Sequence, residues 1–396
     1  MKPSLNRTVA VTGLGVVSPA GIGAAAFWRG LLAPAADGRV RRVQGFDPRR
    51  WMSHKEARNS DLVTQMAVAA ADEALADAGL ADVAAPHRAA VCLGTGIGGV
   101  STLEAQSGVL REHGERRVSP HVVPMTMPNA AAAALSIRYG LRGGAATITT
   151  ACAAGTDAIA AGARLVASGA ADVVLAGGSD CSLTPTCLAG FANMRALSPT
   201  GVSRPFDRDR DGLAAAEAAG VVVLETLESA RRRGAYVYML VAGAASTADA
   251  YHVTAPSPGG DGAERCMRLA LDDAGLTSGQ IAHINAHGTS TQLNDVAEAA
   301  AIRRVLGPSR PPVTSVKGVT GHSFGAGGAV EAVAVALTMR ERLIPPTAGL
   351  TNQDPAIDLD IPREPAPWTP GPVLSNSFGF GGHNGSLVFA PDHGKV

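Results

Sequence analysis

Short apolar runs that alternate with longer, Ala-rich segments of helical period constrain this chain more than any other feature. A run of four to six apolar residues has the length of a buried strand, and apolar residues at helical spacing over a dozen or more positions mark a helix. Thr8–Thr12 reads as a buried strand. Asp61–Gly79 (DLVTQMAVAAADEALADAG) has helical spacing, an Asp where a helix starts and a Gly where one stops. Strands are expected at Ala89–Leu93, Ala146–Thr149 and Val173–Ala176, with a small-residue helix over Ala153–Ser168 between the last two. Such alternation packs as a layered α/β fold with buried strands.

The rhythm then restarts. A basic, polar helix end at Arg231–Ala235 marks a seam, so residues 1–234 and 235–396 are expected as two halves. The second half reads strand Val237–Ala242, helix Glu264–Ala274, strand Ile281–Asn285, helix Asp295–Leu306, strand Val313–Ser315, helix Ala326–Met339 and strand Gly385–Phe389. The shared rhythm fits an internal duplication, although visible identity between the halves is weak. Arg39–Arg50 and Pro362–Pro372 read as surface loops.

At 396 residues the chain is too long for one small core, and 46% hydrophobic with 17% charged residues allows a large one. Aromatics are only 4% and glycines number 47, which favours close packing through small side chains. Basic and acidic residues balance at 34 each, against the basic excess of nucleic-acid binders. No apolar stretch reaches the length of a membrane-spanning helix. The opening MKPSLNRTVAVTGLGVVSPAG is broken by Gly and Pro and lacks the apolar core of a signal peptide. Five scattered cysteines without a CxxC pair argue against a disulfide framework or a zinc site, and for a reducing cytoplasm.

Four segments could carry chemistry. In TTACAAGTD, Cys152 lies where a strand runs into a small-residue helix; the helix dipole there favours the thiolate. Cys92, Cys181, Cys187 and Cys266 read as small buried hydrophobes. In NAHGTST, His287 ends a strand, where α/β sheets place their sites; His283, four residues earlier, would converge with it on a metal only in a helix. In SVKGVTGHSFGAGG, Lys317 and His322 flank a Gly-rich turn, with Glu331 one turn into the next helix. Lys317 precedes the glycines, unlike the lysine of a phosphate loop. In SNSFGFGGHNG, the glycines imply a tight loop whose N–H groups approach something closely, an oxyanion or merely a hairpin partner. The GTGIGG at Gly94–Gly99 lacks the downstream acidic residue of a dinucleotide site.

In that order, TACAAGTDAI, NAHGTSTQLND, SVKGVTGHSFGAGGAVE and NSFGFGG resemble the β-ketoacyl-acyl carrier protein synthases, type II elongating enzymes and their polyketide relatives, over essentially the whole chain. The resemblance implies a thiolase fold, two βαβαβαββ halves in a five-layer αβαβα sandwich, as a dimer. It implies that Cys152 accepts an acyl chain from an acyl carrier protein. His287 and His322 would promote malonyl decarboxylation, and Lys317, paired with Glu331, would be the active-site lysine. Backbone N–H groups of Cys152 and Phe380 would form the oxyanion hole. Thr254, Thr289 and Thr291 would contact phosphopantetheine, and Ile97, Val122, Phe191 and Phe380 the acyl chain. Lys55, Arg58, Arg116 and Arg195 would receive the acidic carrier. No metal and no cofactor beyond the carrier's phosphopantetheine is implied.

Departures from the family pattern point to a specialised pathway such as polyketide or polyene assembly. Asn59 replaces a cation, alanines replace glycines around Glu217, and His383 stands where a small residue is common. Phe46–Ser53 is short. Two alternatives stay open: an initiating synthase or thiolase acting on coenzyme A thioesters, and a ketosynthase paired with a chain-length-factor subunit in place of a homodimer.

Overall fold

The computed structural model describes residues 7–80 and 84–392; residues 1–6, 81–83 and 393–396, including the first six residues of the opening segment, lie outside it. Ten strands carry the fold. In the first half they are β1 (Val9–Ser18), β2 (Ala89–Gly94), β3 (Ala145–Ile148), β4 (Val173–Asp180) and β5 (Ala218–Thr226). In the second they are β6 (Met239–Ala248), β7 (His283–Asn285), β8 (Val313–Thr314), β9 (Val373–Gly379) and β10 (His383–Ala390). The first half-sheet runs in the order β1-β5-β4-β2-β3 and the second in the order β6-β10-β9-β7-β8. In both, the two pairings nearest the first strand are antiparallel and the two outer pairings parallel. The halves are therefore topological copies, a duplication that weak sequence identity left open.

The copies meet where β1 pairs antiparallel with β6, over only Val9↔Val241, Ala10↔Leu240 and Val11↔Met239. Helices cover the sheets in matching places. In the first half, α1 (Leu62–Asp77) packs on β1 and β5, and α2 (Ala130–Tyr139) on β2 and β3. The Asp61 carboxylate accepts the Val63 N–H at 3.0 Å and so caps α1, as its position in the sequence predicts. Between the two half-sheets lies α3 (Ala154–Ala167). In the second half, α4 (Asp261–Ala274) packs on β6 and β10, and α5 (Gln292–Leu306) on α4. With α3 in the middle lies α6 (Gly327–Glu341), which touches β5 of one half and β9 of the other. Every residue of α6 from Gly327 to Met339 is buried, the signature of a helix with sheet on both sides. Outer helices, sheet, α3 with α6, sheet and outer helices make the expected five layers.

Two expectations are corrected. Arg39–Arg50 is not simply a surface loop, because Arg41 is buried within it. Its guanidinium reaches the carbonyls of Gly318 (2.9 Å) and Val319 (3.0 Å), and a buried Arg needs such acceptors. The glycine-rich SNSFGFGGHNG is mostly strand. β9 runs to Gly379 and β10 starts at His383, leaving Phe380–Gly382 as the hairpin turn. Among the described residues, no helix is long and apolar enough to cross a membrane.

Candidate active site

Three strand ends of the two copies converge on one cavity. After β3, the chain makes a single 3-10 turn, Ala151–Ala153, before α3. Ala151 takes φ +50, in the left-handed region that few side chains tolerate, and its methyl is small enough to permit the sharp turn that presents Cys152. The Thr150 hydroxyl donates to Asp157 at 2.6 Å, tying this turn to the first turn of α3. Across the cavity, Gly379 lies so close that a β-carbon there would stand 2.9 Å from the Cys152 nitrogen. That contact explains why β9 must end in glycine before Phe380.

His322 Nε2 stands 3.1 Å from Cys152 Sγ. The His322 backbone is strapped to the first half: its N–H donates to Ala214 O (2.7 Å) and its carbonyl accepts from Ala216 N–H (2.9 Å). The alanines around Glu217 thus serve as the strap that holds His322. The His287 ring lies 5.2 Å from the His322 ring, nearly perpendicular to it. At the end of β7, the N–H groups of His287 and Gly288 both donate to Glu298 of α5, at 2.7 and 2.8 Å. Lys317 and Glu331 form a buried ion pair behind the histidines. The rings of His283 and His287 do not share a ligand site, because His283 Nε2 instead meets the Thr314 hydroxyl at 2.8 Å.

Electrostatics here differ from the helix-dipole expectation. Burial pushes the Cys152 thiol up to about 12; the Asp180 carboxylate adds to the shift, and Lys317 and the N–H groups of Phe380 and Cys152 oppose it. Desolvation of the thiolate opposes the dipole of α3, which begins only after the intervening 3-10 turn. Burial also holds His287 and His322 well below the ordinary imidazole range, and the nearby Lys317 charge pushes them further down. Both rings are therefore neutral at neutral pH, and Cys152 and His322 meet as a thiol and an imidazole. Such a pair can transfer one proton, and neutral imidazoles can donate N–H bonds to a developing oxyanion.

The cavity measures about 670 Å³. Cys152, His287 and His322 line it together with Ile97, Phe191, Phe380, Arg195, Thr254, Thr289 and Thr291. The hydroxyls of Thr289 and Thr291 are 2.9 Å apart. Several expected site residues lie off its wall. Val122 is half-buried in the short helix Val122–Thr126, and Lys55, Arg58 and Arg116 are exposed elsewhere on the surface. His383 also stays off the wall; its ring lies under Gly381. Sequence reasoning missed Glu298, Asp180, Phe324 and Phe378. Asp180 lines the cavity while its Oδ2 accepts the N–H groups of Gly96 (2.8 Å) and Gly325 (3.2 Å). Neither carboxylate sits at a motif spacing, and each reads in sequence as an ordinary polar position.

Residues 33–230 match the family model for the beta-ketoacyl synthase N-terminal domain, and residues 238–351 match that for the beta-ketoacyl synthase C-terminal domain. The chain belongs to the β-ketoacyl synthase family. This β-ketoacyl synthase is 42% identical over 406 residues to 3-oxoacyl-[acyl-carrier-protein] synthase 2 of Synechocystis sp., covering 97% of this chain and 98% of that protein. Among solved structures it resembles the ishigamide ketosynthase/chain length factor, with a TM-score of 0.90 and 34% identity over 98% of this chain and 99% of that one. It also resembles AntDE:AntF, a type II PKS acyl-carrier protein in complex with its ketosynthase bound to the hexaketide. There the TM-score is 0.89 and the identity 31%, over 98% and 99% of the two chains. The β-ketoacyl synthase has the thiolase fold and is a condensing enzyme of the acyltransferase class.

Proposed function

We propose that this β-ketoacyl synthase takes an acyl chain from the phosphopantetheine of an acyl carrier protein onto Cys152 and extends it by two carbons with malonyl carrier protein. The observation that carries the reading is the 3.1 Å approach of Cys152 Sγ to His322 Nε2, with His287 beside them in one cavity. His322 takes the thiol proton as sulfur attacks the acyl thioester, and passes it to the departing carrier thiol. The N–H groups of Cys152 and Phe380, which already bear on the sulfur, hold the oxyanion of that step. Malonyl thioester then loses CO₂. His287 and His322, the latter now as its Nε2–H tautomer, donate N–H bonds to the enolate oxygen; the enolate carbon attacks the acyl carbon and expels the Cys152 thiolate, which takes a proton from solvent to become the thiol again. Burial keeps both imidazoles unprotonated for this work, and the charge of Lys317, fixed by Glu331, adds to the effect. Side chains and carrier-bound substrates suffice; no further cofactor is called for.

Thr289, Thr291 and the exposed Thr254 are proposed to receive the phosphopantetheine arm, and Ile97, Phe191 and Phe380 the acyl chain. Arg195, exposed and on the cavity wall, is proposed to dock the acidic carrier, and Lys55, Arg58 and Arg116, exposed away from that wall, are proposed as further cations for it. The halves 1–234 and 235–396 supply Cys152 and the His287–His322–Lys317 set respectively. All five cysteines are free, which suits the cytoplasm we propose. A dimer is proposed because β3 ends the sheet with its residues exposed or half-buried, an unsealed edge. Its partner is a second copy or a chain-length-factor-like subunit, by analogy with the ishigamide ketosynthase/chain length factor. Among the described residues, Cys152 is the one cysteine on the cavity wall, which speaks against the thiolase alternative.

The test is intact-mass analysis after incubation with acyl carrier protein. Wild type gains the acyl mass, and Cys152→Ala gains none. An acylated Cys152→Ala protein sinks the assignment.

A further inference from the structure

We propose that Phe324 and Phe191 tune the cavity for acyl chains with conjugated double bonds over saturated chains of equal length. The inference rests on the condensing reading above and concerns what Cys152 carries. Four of the chain's eight phenylalanines, Phe191, Phe324, Phe378 and Phe380, line the cavity of Cys152, in a chain with only 4% aromatics. The rings form an unbroken series through the catalytic imidazoles. Phe191 and Phe324 stack with centroids 4.7 Å apart and planes 9° apart. Phe324 meets His322 at 5.2 Å, His322 meets His287 at 5.2 Å, and His287 meets Phe378 at 5.9 Å. Phe324 and Phe191 also pack in the same apolar cluster as Cys152, so carbons attached to that sulfur start out against this wall.

Phe324 is held there at a conformational cost. Its φ is +44, a region bulky residues seldom adopt. Asp180 keeps the turn closed by binding the N–H groups of Gly325 and Gly96 on a single oxygen. Strain of this kind at a cavity wall points to use of the ring beside His322. A conjugated chain is planar, offers a π face to an offset ring and has fewer torsions to freeze on binding than a saturated chain. A saturated chain fills the same space by dispersion alone and gains nothing from parallel rings.

The experiment compares octanoyl and all-trans octa-2,4,6-trienoyl pantetheine thioesters as donors to Cys152, read by intact mass, in wild type, Phe324→Leu and Phe191→Leu. Trienoyl groups differ in intrinsic reactivity, so the deciding quantity is the trienoyl-to-octanoyl ratio of kcat/KM in each variant relative to wild type. That ratio is expected to fall about tenfold, the worth of one good aromatic contact. The absorption band of the trienoyl-enzyme should also lie at longer wavelength in wild type than in the variants. Phe191 is half-buried, so its variant guards against a folding failure at Phe324. An unchanged ratio and band in both variants, with both donors loading, overturns this inference alone. If neither donor adds mass to wild-type Cys152, the condensing reading falls and this inference falls with it.

Discussion

At the scale of single residues, the site holds a neutral pair where the sequence suggested an activated anion. With the thiol pushed up to about 12 and His322 held neutral, alkylation of Cys152 by iodoacetamide should accelerate about tenfold per pH unit from pH 6 to 9, without a plateau. A plateau below pH 8 would instead reveal a preformed thiolate–imidazolium pair. Lys317 and Glu331 pose a different question, because both are buried. Lys317→Met leaves the Glu331 carboxylate without its cation and should cost about 3–5 kcal/mol in urea unfolding. Lys317→Met/Glu331→Leu should recover most of that loss while remaining defective in condensation. Equal destabilisation of the single and double variants would show that the pair's charge is not what matters. Cys152, His287, His322 and Lys317 were legible because each sits in a Gly- or Ala-rich turn after a strand. Glu298, Asp180 and Phe324 were not, because each acts through a contact made across many residues of chain, and no local pattern records such contacts.

At the scale of elements, the central layer is thin because α3 and α6 touch backbone to backbone. A β-carbon on Gly155 would lie 2.9 Å from Ala329 N, and one on Gly328 would overlap the Thr156 hydroxyl and stand 2.8 Å from Ser377 Oγ. The Thr156 and Ser377 hydroxyls bond each other at 2.8 Å, which also ties α3 to β9. Gly328→Ala should therefore cost about 2–4 kcal/mol, through overpacking and loss of that bond. Thermal unfolding indistinguishable from wild type would show that the layers can part without penalty. The long periodic helices α1, α3 and α6 and the buried strands β2 and β4 were read from sequence to within a few residues, because period and burial agree there. β5 was not, since its AAGVVVLET follows an alanine-rich stretch without a turn signal. The helix Val100–His113 was also missed; none of its residues is buried, so no apolar stripe marks it.

At the scale of the whole molecule, the repeat leaves one sheet edge open at β3. Val91 N–H donates to Gly144 O and Thr95 N–H to Ile148 O, so the alternate N–H groups, those of Ala145 and Thr147, face away from β2. Thr147→Pro should thus spare the internal ladder while removing an outward donor. Sedimentation velocity should show wild type as a dimer and the variant shifted towards monomer; an unshifted dimer would place the partner elsewhere. The two-copy architecture has a consequence for control. Cys152 rides on one copy and His322 on the other; the half-sheets pair as strands over only three residue pairs, and the rest of the joint is α3 against α6 and the strap on His322. A slide of about 1 Å between them would stretch the sulfur–imidazole contact beyond hydrogen-bonding reach. The joint between the copies is thus a mechanical tolerance on reactivity, and substitutions that loosen it far from the cavity should act as a dimmer on acyl loading.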